Sequence, residues 1–318
     1  MSIIGVLYGM EESFPPALVD RINAMGAKDV RAEHLKVGGV RMAEPPPYDV
    51  IVDRISHDIP FYRSYLKNAV LAGVQVINNP FWWSADDKFF NYALAHKLGV
   101  AAPRTVLLPH KKHPPDTTDR SMRNLEYPLD WDGIFQYVGF PAFLKPHDGG
   151  GWKSVYKVST PAEFFAAYEE SGDLCMTLQA AVNFQEYFRC YVIDQAKVHI
   201  MRYDPGQPHH LRYVPGNPPP QPGLRERIER DCLTLCRALG YDLNTVEFAV
   251  EDGVPYAIDF MNPAPDAGLE SVGPDNFRWI VDAVAEMAVS RARQPAPALP
   301  YRWAAFLGAP GAGKGAAS

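Results

Sequence analysis

The chain has 318 residues, 47% of them hydrophobic, a formal charge of -6 and four cysteines. That length predicts two or three compact lobes, and an acidic balance without long Lys/Arg runs excludes nucleic-acid and membrane-surface partners, which need clustered cations. No apolar run reaches the length of a membrane span, the first residues lack a basic leader with a cleavage site, and the cysteines are too few for a disulfide framework, so a reduced, cytoplasmic protein is expected.

Ile3 to Tyr8 is an apolar strand closed by Gly9, and Pro15-Pro16 opens a helix with Leu18, Ile22 and Met25 on one face, stopped by Gly26. Tyr48 to Asp53 reads as a second strand, Tyr62 to Val70 as a helical face and Val74 to Ile77 as a third strand. Strands alternating with helices predict parallel pairing. Ligands of such a domain sit beyond the strand ends, here near Glu11, near Arg54 and His57, and near Asn78 and Asn79.

A helix follows, with Ser84 as its expected cap, Asp86 and Asp87 in its first turn and Gly99 as its stop. Lys88 comes straight after that turn, where the helix dipole does not help a cation. Pro103 to Pro109 reads as a strand and His110 to Asp119 as a loop. Ala142 to Leu144 and Ser154 to Val158 read as strands flanking a turn with Lys145 at its entry and Gly149, Gly150 and Gly151 within it. Three successive glycines let backbone N–H groups approach a polyanion, and Lys145 supplies a fixed positive charge.

Thr160, Pro161 and Glu163 spell the start of a helix that ends near Gly172, and strands follow at Leu174 to Gln179, Tyr187 to Ile193 and Lys197 to Arg202. Asp204 to Gly223 is a long Pro/Gly-rich loop, a length often tied to function. Leu224 to Leu239 is a helix in which Cys232 and Cys236 read as core thiols rather than metal ligands. Thr245 to Val250 and Tyr256 to Phe260 form a hairpin. Strict alternation puts Glu247 on a face with Ala249, and Asp259 on a face with Ala257. A last helix covers Asn276 to Arg291. Gly308 to Gly315 is close to a phosphate-binding P-loop, but no helix follows it, so it reads as tail.

Phosphoryl chemistry needs positive charge on the phosphates and oxygen ligands for a hard cation. Lys88 and Lys145 offer the first; Glu247, Asp259 and Asn262 offer the second. In order and spacing, Asp87-Lys88, the Lys145 strand with its glycines, Leu178-Gln179, Phe188 to Ile193, Glu247 and Asp259 to Pro263 resemble the ATP-grasp superfamily, and within it the glutathione synthetase and ribosomal-protein glutamate ligase branch. The match covers roughly residues 78 to 290.

The resemblance implies an α/β protein with α+β lobes: an N-terminal Rossmann-like pre-ATP-grasp domain (1–84), a small lobe with the glycine loop (85–182), a large lobe with the metal site (183–295) and a disordered tail (296–318). It implies ATP held by Lys88, Lys145, the three glycines, Gln179, Ala180, Val182 and Glu186, the last on the ribose. Glu247, Asp259 and Asn262 would hold one or two Mg2+, with Mn2+ as the alternative ion, and Arg202 would stabilise the transferring phosphoryl group.

The implied activity is that of an ATP-dependent carboxylate–amine or thiol ligase working through an acyl phosphate, on small-molecule or peptide substrates, in a homo-oligomer. The sequence departs from the family pattern in having Ala180 where many members carry an acid. Phe260 and Met261 also separate Asp259 from Asn262, which calls for a bulge or a different pair. A silent nucleotide-binding regulator and a kinase of the same fold are the rival readings.

Overall fold

The first sheet is all parallel: β1 (Ser2–Leu7), β2 (Val30–His34), β3 (Val50–Asp53) and β4 (Gln75–Ile77), in the order β2-β1-β3-β4. The structure, a computed structural model, describes residues 1–25, 28–42, 44–82, 87–149, 153–214, 219–296 and 301–306. Parallel strands are buried on both faces, which is why β1 and β3 read as unbroken apolar runs. Ile4, Val6, Val50 and Val52 meet α1 (Phe14–Ala24) on one face, while Leu7 and Ile51 meet α2 (Pro60–Leu71) on the other. The expected face of α1 is present at Leu18 and Ile22, but Met25 lies just past the helix and is half-exposed.

Three antiparallel pairings make the second sheet, in the order β5-β8-β6-β7: β5 (Thr105–Leu108), β8 (Met176–Ala180), β6 (Ala142–Pro146) and β7 (Tyr156–Val158). Strand β6 continues through Lys145 to Pro146, so Lys145 lies within the strand rather than at its end. Its outer face is covered by α4 (Trp131–Val138) and α5 (Pro161–Glu170), through Trp131, Phe135 and Phe164. The start of α5 is close to a capping box: Thr160 Oγ1 accepts from Glu163 N at 3.2 Å, and the Glu163 carboxylate accepts from Ser159 N, one residue before the cap, at 2.8 Å. Helix α3 (Lys88–Lys97) crosses from this sheet to the third.

The third sheet runs β10 (Lys197–Arg202), β9 (Glu186–Ile193), β11 (Leu243–Glu251), β12 (Val254–Asp259), antiparallel throughout. Helix α6 (Pro222–Leu239) covers the face carrying Phe188, Cys190, Val246 and Phe248; Cys232 and Cys236 are buried there, as core thiols. The opposite face is packed by α8 (Pro274–Arg293), which follows the single turn α7 (Leu269–Val272). Helix α8 also packs on α1 and β1, so Ile280, Val284 and Met287 belong to a core shared by the first and third sheets. Each such side chain contributes roughly 1.5–3 kcal/mol when fully buried.

Asn78, just after β4, joins the same two sheets. Its Nδ2 donates to Leu243 O (2.7 Å) and Pro263 O (3.0 Å), and its Oδ1 accepts from the Asp242 and Leu243 amides, both at 2.8 Å.

The β11–β12 hairpin turns through Asp252 and Gly253, both at positive φ as a type I′ turn requires. Its register then slips: Glu247 faces Asp259, but Phe248 faces Ala257, leaving Ile258 as an extra residue. The expected alternation therefore fails at the end of β12. Ala257 is buried beneath α6, whereas Ile258 and Asp259 both turn to the other side. Part of the segment read as tail, Arg302–Phe306, is a short 3-10 helix, and Tyr301 before it stacks on Trp82. The P-loop-like stretch 308–315 lies outside the described residues.

Candidate active site

A cleft of about 190 Å³ separates the second and third sheets, and Lys88, Lys145, Glu247 and Asp259 all line it. Gln179, Ala180 and Val182 lie on its wall, with Tyr92, Phe143, Phe184 and Tyr187 supplying aromatic surface. Lys145 enters from β6 on the face it shares with Phe143. Its Nζ donates to Tyr92 Oη at 2.7 Å and to Gln179 Oε1 at 2.8 Å, and lies 4.9 Å from the centre of the Tyr92 ring. Burial pushes the ammonium down to about 8, against the pull of Asp259 and Glu247. Tyr92 Oη donates in turn to Ile258 O at 2.6 Å, so α3 bridges the two sheets at the floor of the cleft.

Lys88 is the first residue of α3. The cap is Asp87, whose Oδ1 accepts from Phe90 N at 2.9 Å, and not Ser84, which lies outside the described residues. The helix dipole disfavours a cation at this position, and Lys88 lines the same cleft as Glu247 and Asp259. Lys88 N also donates to His147 O at 2.8 Å, tying the helix start to the glycine turn. Within that turn Gly149 has φ +75° and open space where a Cβ would stand; Gly150 and Gly151 are outside the described residues. Asp148 and Lys153 from the same turn line the cleft and were not singled out from the sequence.

The linker after β8 is partly committed to the fold. Ala180 N donates to Arg104 O (2.9 Å) and Ala181 N to Pro141 O (3.1 Å), so these two amides are not offered to a ligand. Glu186 and Arg202, expected at a ribose and at a phosphoryl group, are instead paired with each other at 2.5 Å, and neither is among the residues lining the cleft. The antiparallel register puts Arg202 opposite Phe188, so Glu186, two residues along the same face, is its diagonal neighbour. Arg202 lines a separate cavity with His199 and Tyr213.

The arginine paired with Glu247 is Arg189, at the centre of β9. Its Nη1 lies 3.6 Å from Glu247 Oε1, its Nη2 donates to Thr245 Oγ1 at 3.3 Å, and its guanidinium sits over the Tyr203 and Tyr213 rings. Its Nε and the Tyr213 hydroxyl are buried without a hydrogen-bond partner. The signal in the sequence was a lone cation inside the apolar stretch from Tyr187 to Ile193.

Glu247 Oε2 accepts from Tyr187 Oη at 2.7 Å. Burial raises the Glu247 carboxyl; Arg189 opposes the rise and Asp259 adds to it. Asn262 stands back from the cleft lining: its N–H donates to Asn244 Oδ1 (2.9 Å) and its Nδ2 to Thr245 O (3.1 Å). Phe260 and Met261, the two residues between it and Asp259, are buried against α6. Among the described residues no group of three or more His, Cys, Asp or Glu is placed to hold a metal ion. What is present is a carboxylate pair, Glu247 and Asp259, whose like charges and oxygen donors suit a hard divalent cation that keeps water or phosphate on its other positions.

Beyond the strand ends of the first sheet, Arg54 is buried in a two-bond ion pair with Glu11 and donates to Pro265 O at 2.5 Å, leaving Nη1 without a partner. Tyr191 Oη donates to the next carbonyl, Asp266 O, at 2.5 Å and lies 3.0 Å from Pro265 O. His209 Nε2 lies 3.5 Å from Asp266, and Asn79 bonds Tyr301. Among the described residues no helix is long and apolar enough to cross a membrane.

No family model and no curated protein sequence matches the chain. Solved structures do. D-alanine–D-alanine ligase from Bacillus anthracis, complexed with ATP, aligns with a TM-score of 0.63 at 16% identity over 92% of this chain and 97% of its own. The ATP-grasp ligase PsnB, complexed with minimal precursor, Mg and ADP, aligns at 0.58 and 14% identity over 92% and 98%. A RimK domain ATP-grasp protein from Sphaerobacter thermophilus aligns at 0.61 and 16% over 91% and 100%. Three sheets in this order, with a cleft between the last two, give this chain the fold of the ATP-grasp ligases.

Proposed function

We propose that the chain is an ATP-dependent ligase that joins a carboxylate to an amine, or to a thiol, through an acyl phosphate. The observation that carries this reading is the convergence of two lysines from the second sheet and its helix with two carboxylates from the third on one cleft. Lys88 and Lys145 would contact the phosphates or the adenine, the glycine turn would close over the phosphates, and Gln179 with the 180–182 linker would hold the base. Residues 1–84, 85–182 and 183–295 would act as three lobes.

Glu247 and Asp259 would hold Mg2+, with Asn262 reaching the site only after giving up its bond to Thr245 O. The ion would neutralise phosphate charge. A carboxylate oxygen of the acyl substrate attacks the γ-phosphorus, the bond to the β–γ bridging oxygen breaks, and ADP leaves. An amine then attacks the acyl carbon, phosphate departs with its electron pair, and the amine loses a proton to solvent or a nearby base. Positioning and charge compensation carry the rate.

Arg189, which like Arg202 stands behind the cleft lining, would act on the phosphoryl group through its ion pair with Glu247. Unpartnered buried donors on Arg189, Tyr213 and Arg54 support an anionic, carboxylate-bearing substrate on that side. Neighbours of this fold include PsnB with precursor peptide PsnA2 and the macrocyclase MdnC with precursor peptide MdnA, which supports a peptide carboxylate beside small amino acids.

The test is phosphate release from ATP and Mg2+ across a panel of amino acids, small carboxylates and acidic peptides, with amines added, and Lys145→Ala as control. Release that requires both substrates and disappears in the control is expected. Nucleotide binding unchanged by Lys145→Ala, or phosphate remaining on a stable product, would sink the ligase reading.

A further inference from the structure

The side-chain amide of Gln179 is held in one orientation, and the residue holding it is not part of the cleft lining. An ammonium only donates, so the Gln179 atom 2.8 Å from Lys145 Nζ is Oε1. The other end of the amide, Nε2, donates to Thr105 Oγ1 at 2.8 Å, across the β5–β8 pair in which the two residues are register partners. Thr105 has a single hydroxyl hydrogen, and it is donated to Pro103 O at 2.9 Å. Its oxygen is therefore left to accept.

Lys145, Gln179, Thr105 and Pro103 thus form a relay in which each group donates to the next, starting in the cleft. Two of the three ammonium hydrogens go to Gln179 and Tyr92, leaving one for a ligand, and Gln179 Oε1 keeps its second lone pair. The wall offers an acceptor beside a donor.

We infer that Thr105 is a positioning residue that makes the cleft select an adenine base over a 6-keto purine, an inference that rests on the nucleotide reading above. Adenine carries an amino group at C6 beside the N7 acceptor and complements that wall; guanine and hypoxanthine put a second acceptor at C6, against Oε1. Turning the amide over to suit them would set Nε2 against the Lys145 ammonium and Oε1 against a hydroxyl whose hydrogen is already committed.

Inosine triphosphate replaces the C6 amino group of ATP by a carbonyl and carries a hydrogen on N1, so the change that a substitution at Thr105 makes in the ratio of the two dissociation constants, measured with Mg2+ by competition, reads the relay. Wild-type protein should prefer ATP about tenfold or more, the cost of opposing two acceptors in a dry site. Thr105→Val keeps shape and strand preference but removes the hydroxyl, and should collapse the ratio severalfold. Thr105→Ser should keep it. In the double variant Thr105→Val with Gln179→Glu the ratio should return, because either carboxylate oxygen accepts.

A Thr105→Val ratio equal to wild type overturns the inference, as does a wild-type ratio near one. Should Thr105→Val fail to fold, Gln179→Leu removes the acceptor itself, and an unchanged ratio there overturns the inference equally. Wild-type protein that binds neither nucleotide overturns the ligase reading instead, before the relay is tested.

Discussion

Lys145 makes nucleotide affinity depend on pH in a window set by its own surroundings. Its ammonium is buried between Tyr92 and Gln179 and titrates at about 8 instead of 10.5. A bound nucleotide that accepts from Lys145 favours the charged form, so binding takes up a proton wherever the free lysine is neutral. With a pKa of about 8, roughly nine-tenths of the free protein carries the charge at pH 7 and roughly one-tenth at pH 9. Affinity for ATP should therefore fall about tenfold between pH 7 and pH 9.

Competition against a fluorescent nucleotide across that range measures it, with Lys145→Met as the reference that binds weakly and without this slope. The same group has a stability signature. Between about pH 8 and 10.5 the unfolded chain holds a proton on Lys145 that the folded chain has lost, so the cost of burying the charge is present below 8 and relieved as pH rises. The unfolding free energy of wild type relative to Lys145→Met should rise by about 3 kcal/mol at most across that window. A flat affinity profile in wild type, or an equal slope in the variant, would refute the reasoning.

Two further substitutions test the frame and the carboxylate pair. Asn78→Ala removes four hydrogen bonds between the first and third sheets and strands buried backbone groups at Asp242 and Leu243, so urea unfolding should show a loss of about 3 kcal/mol or more. Glu247→Gln and Asp259→Asn should each lower turnover by about a hundredfold or more, the scale of removing one charge-stabilising group, and raise the Mg2+ concentration needed for half-maximal rate. Nucleotide binding measured without Mg2+ should change little in either variant, and a metal dependence like that of wild type would argue against the pair as ligands.

Much of the fold was legible because the chain is punctuated where the physics requires it. Continuous apolar runs marked β1 and β3, and Thr160, Pro161 and Glu163 marked the start of α5. Strand β2 was missed because Val30 and Ala32 are its only apolar residues, alternating with Arg31, Glu33 and His34. Helix α4 carries Trp131, Ile134, Phe135 and Val138 at helical spacing, and that stretch between a polar loop and the glycine turn went unread. The cap of α3 shifted from Ser84 to Asp87 because an acid in the first turn and an acid at the cap look alike in sequence.

The site was legible in its charges and less so in its partners, since pairing register is a property of two strands at once. Glu186 and Arg202 lie 16 residues apart, and only the β9–β10 register makes them an ion pair. The same register logic decides which carboxylates face the cleft. Without the extra residue at Ile258, alternation along β12 would send Asp259 toward α6, into the layer where Ala257 and Phe260 are packed. There it would be an unpaired charge in an apolar core, a cost of several kcal/mol that the chain avoids by breaking the pleat. The bulge therefore serves packing and chemistry together: it keeps a charge out of the core and sets that charge opposite Glu247. It lies one residue before Asp259 and not between Asp259 and Asn262, where the family pattern pointed, because Phe260 and Met261 are the residues the core beneath α6 takes up.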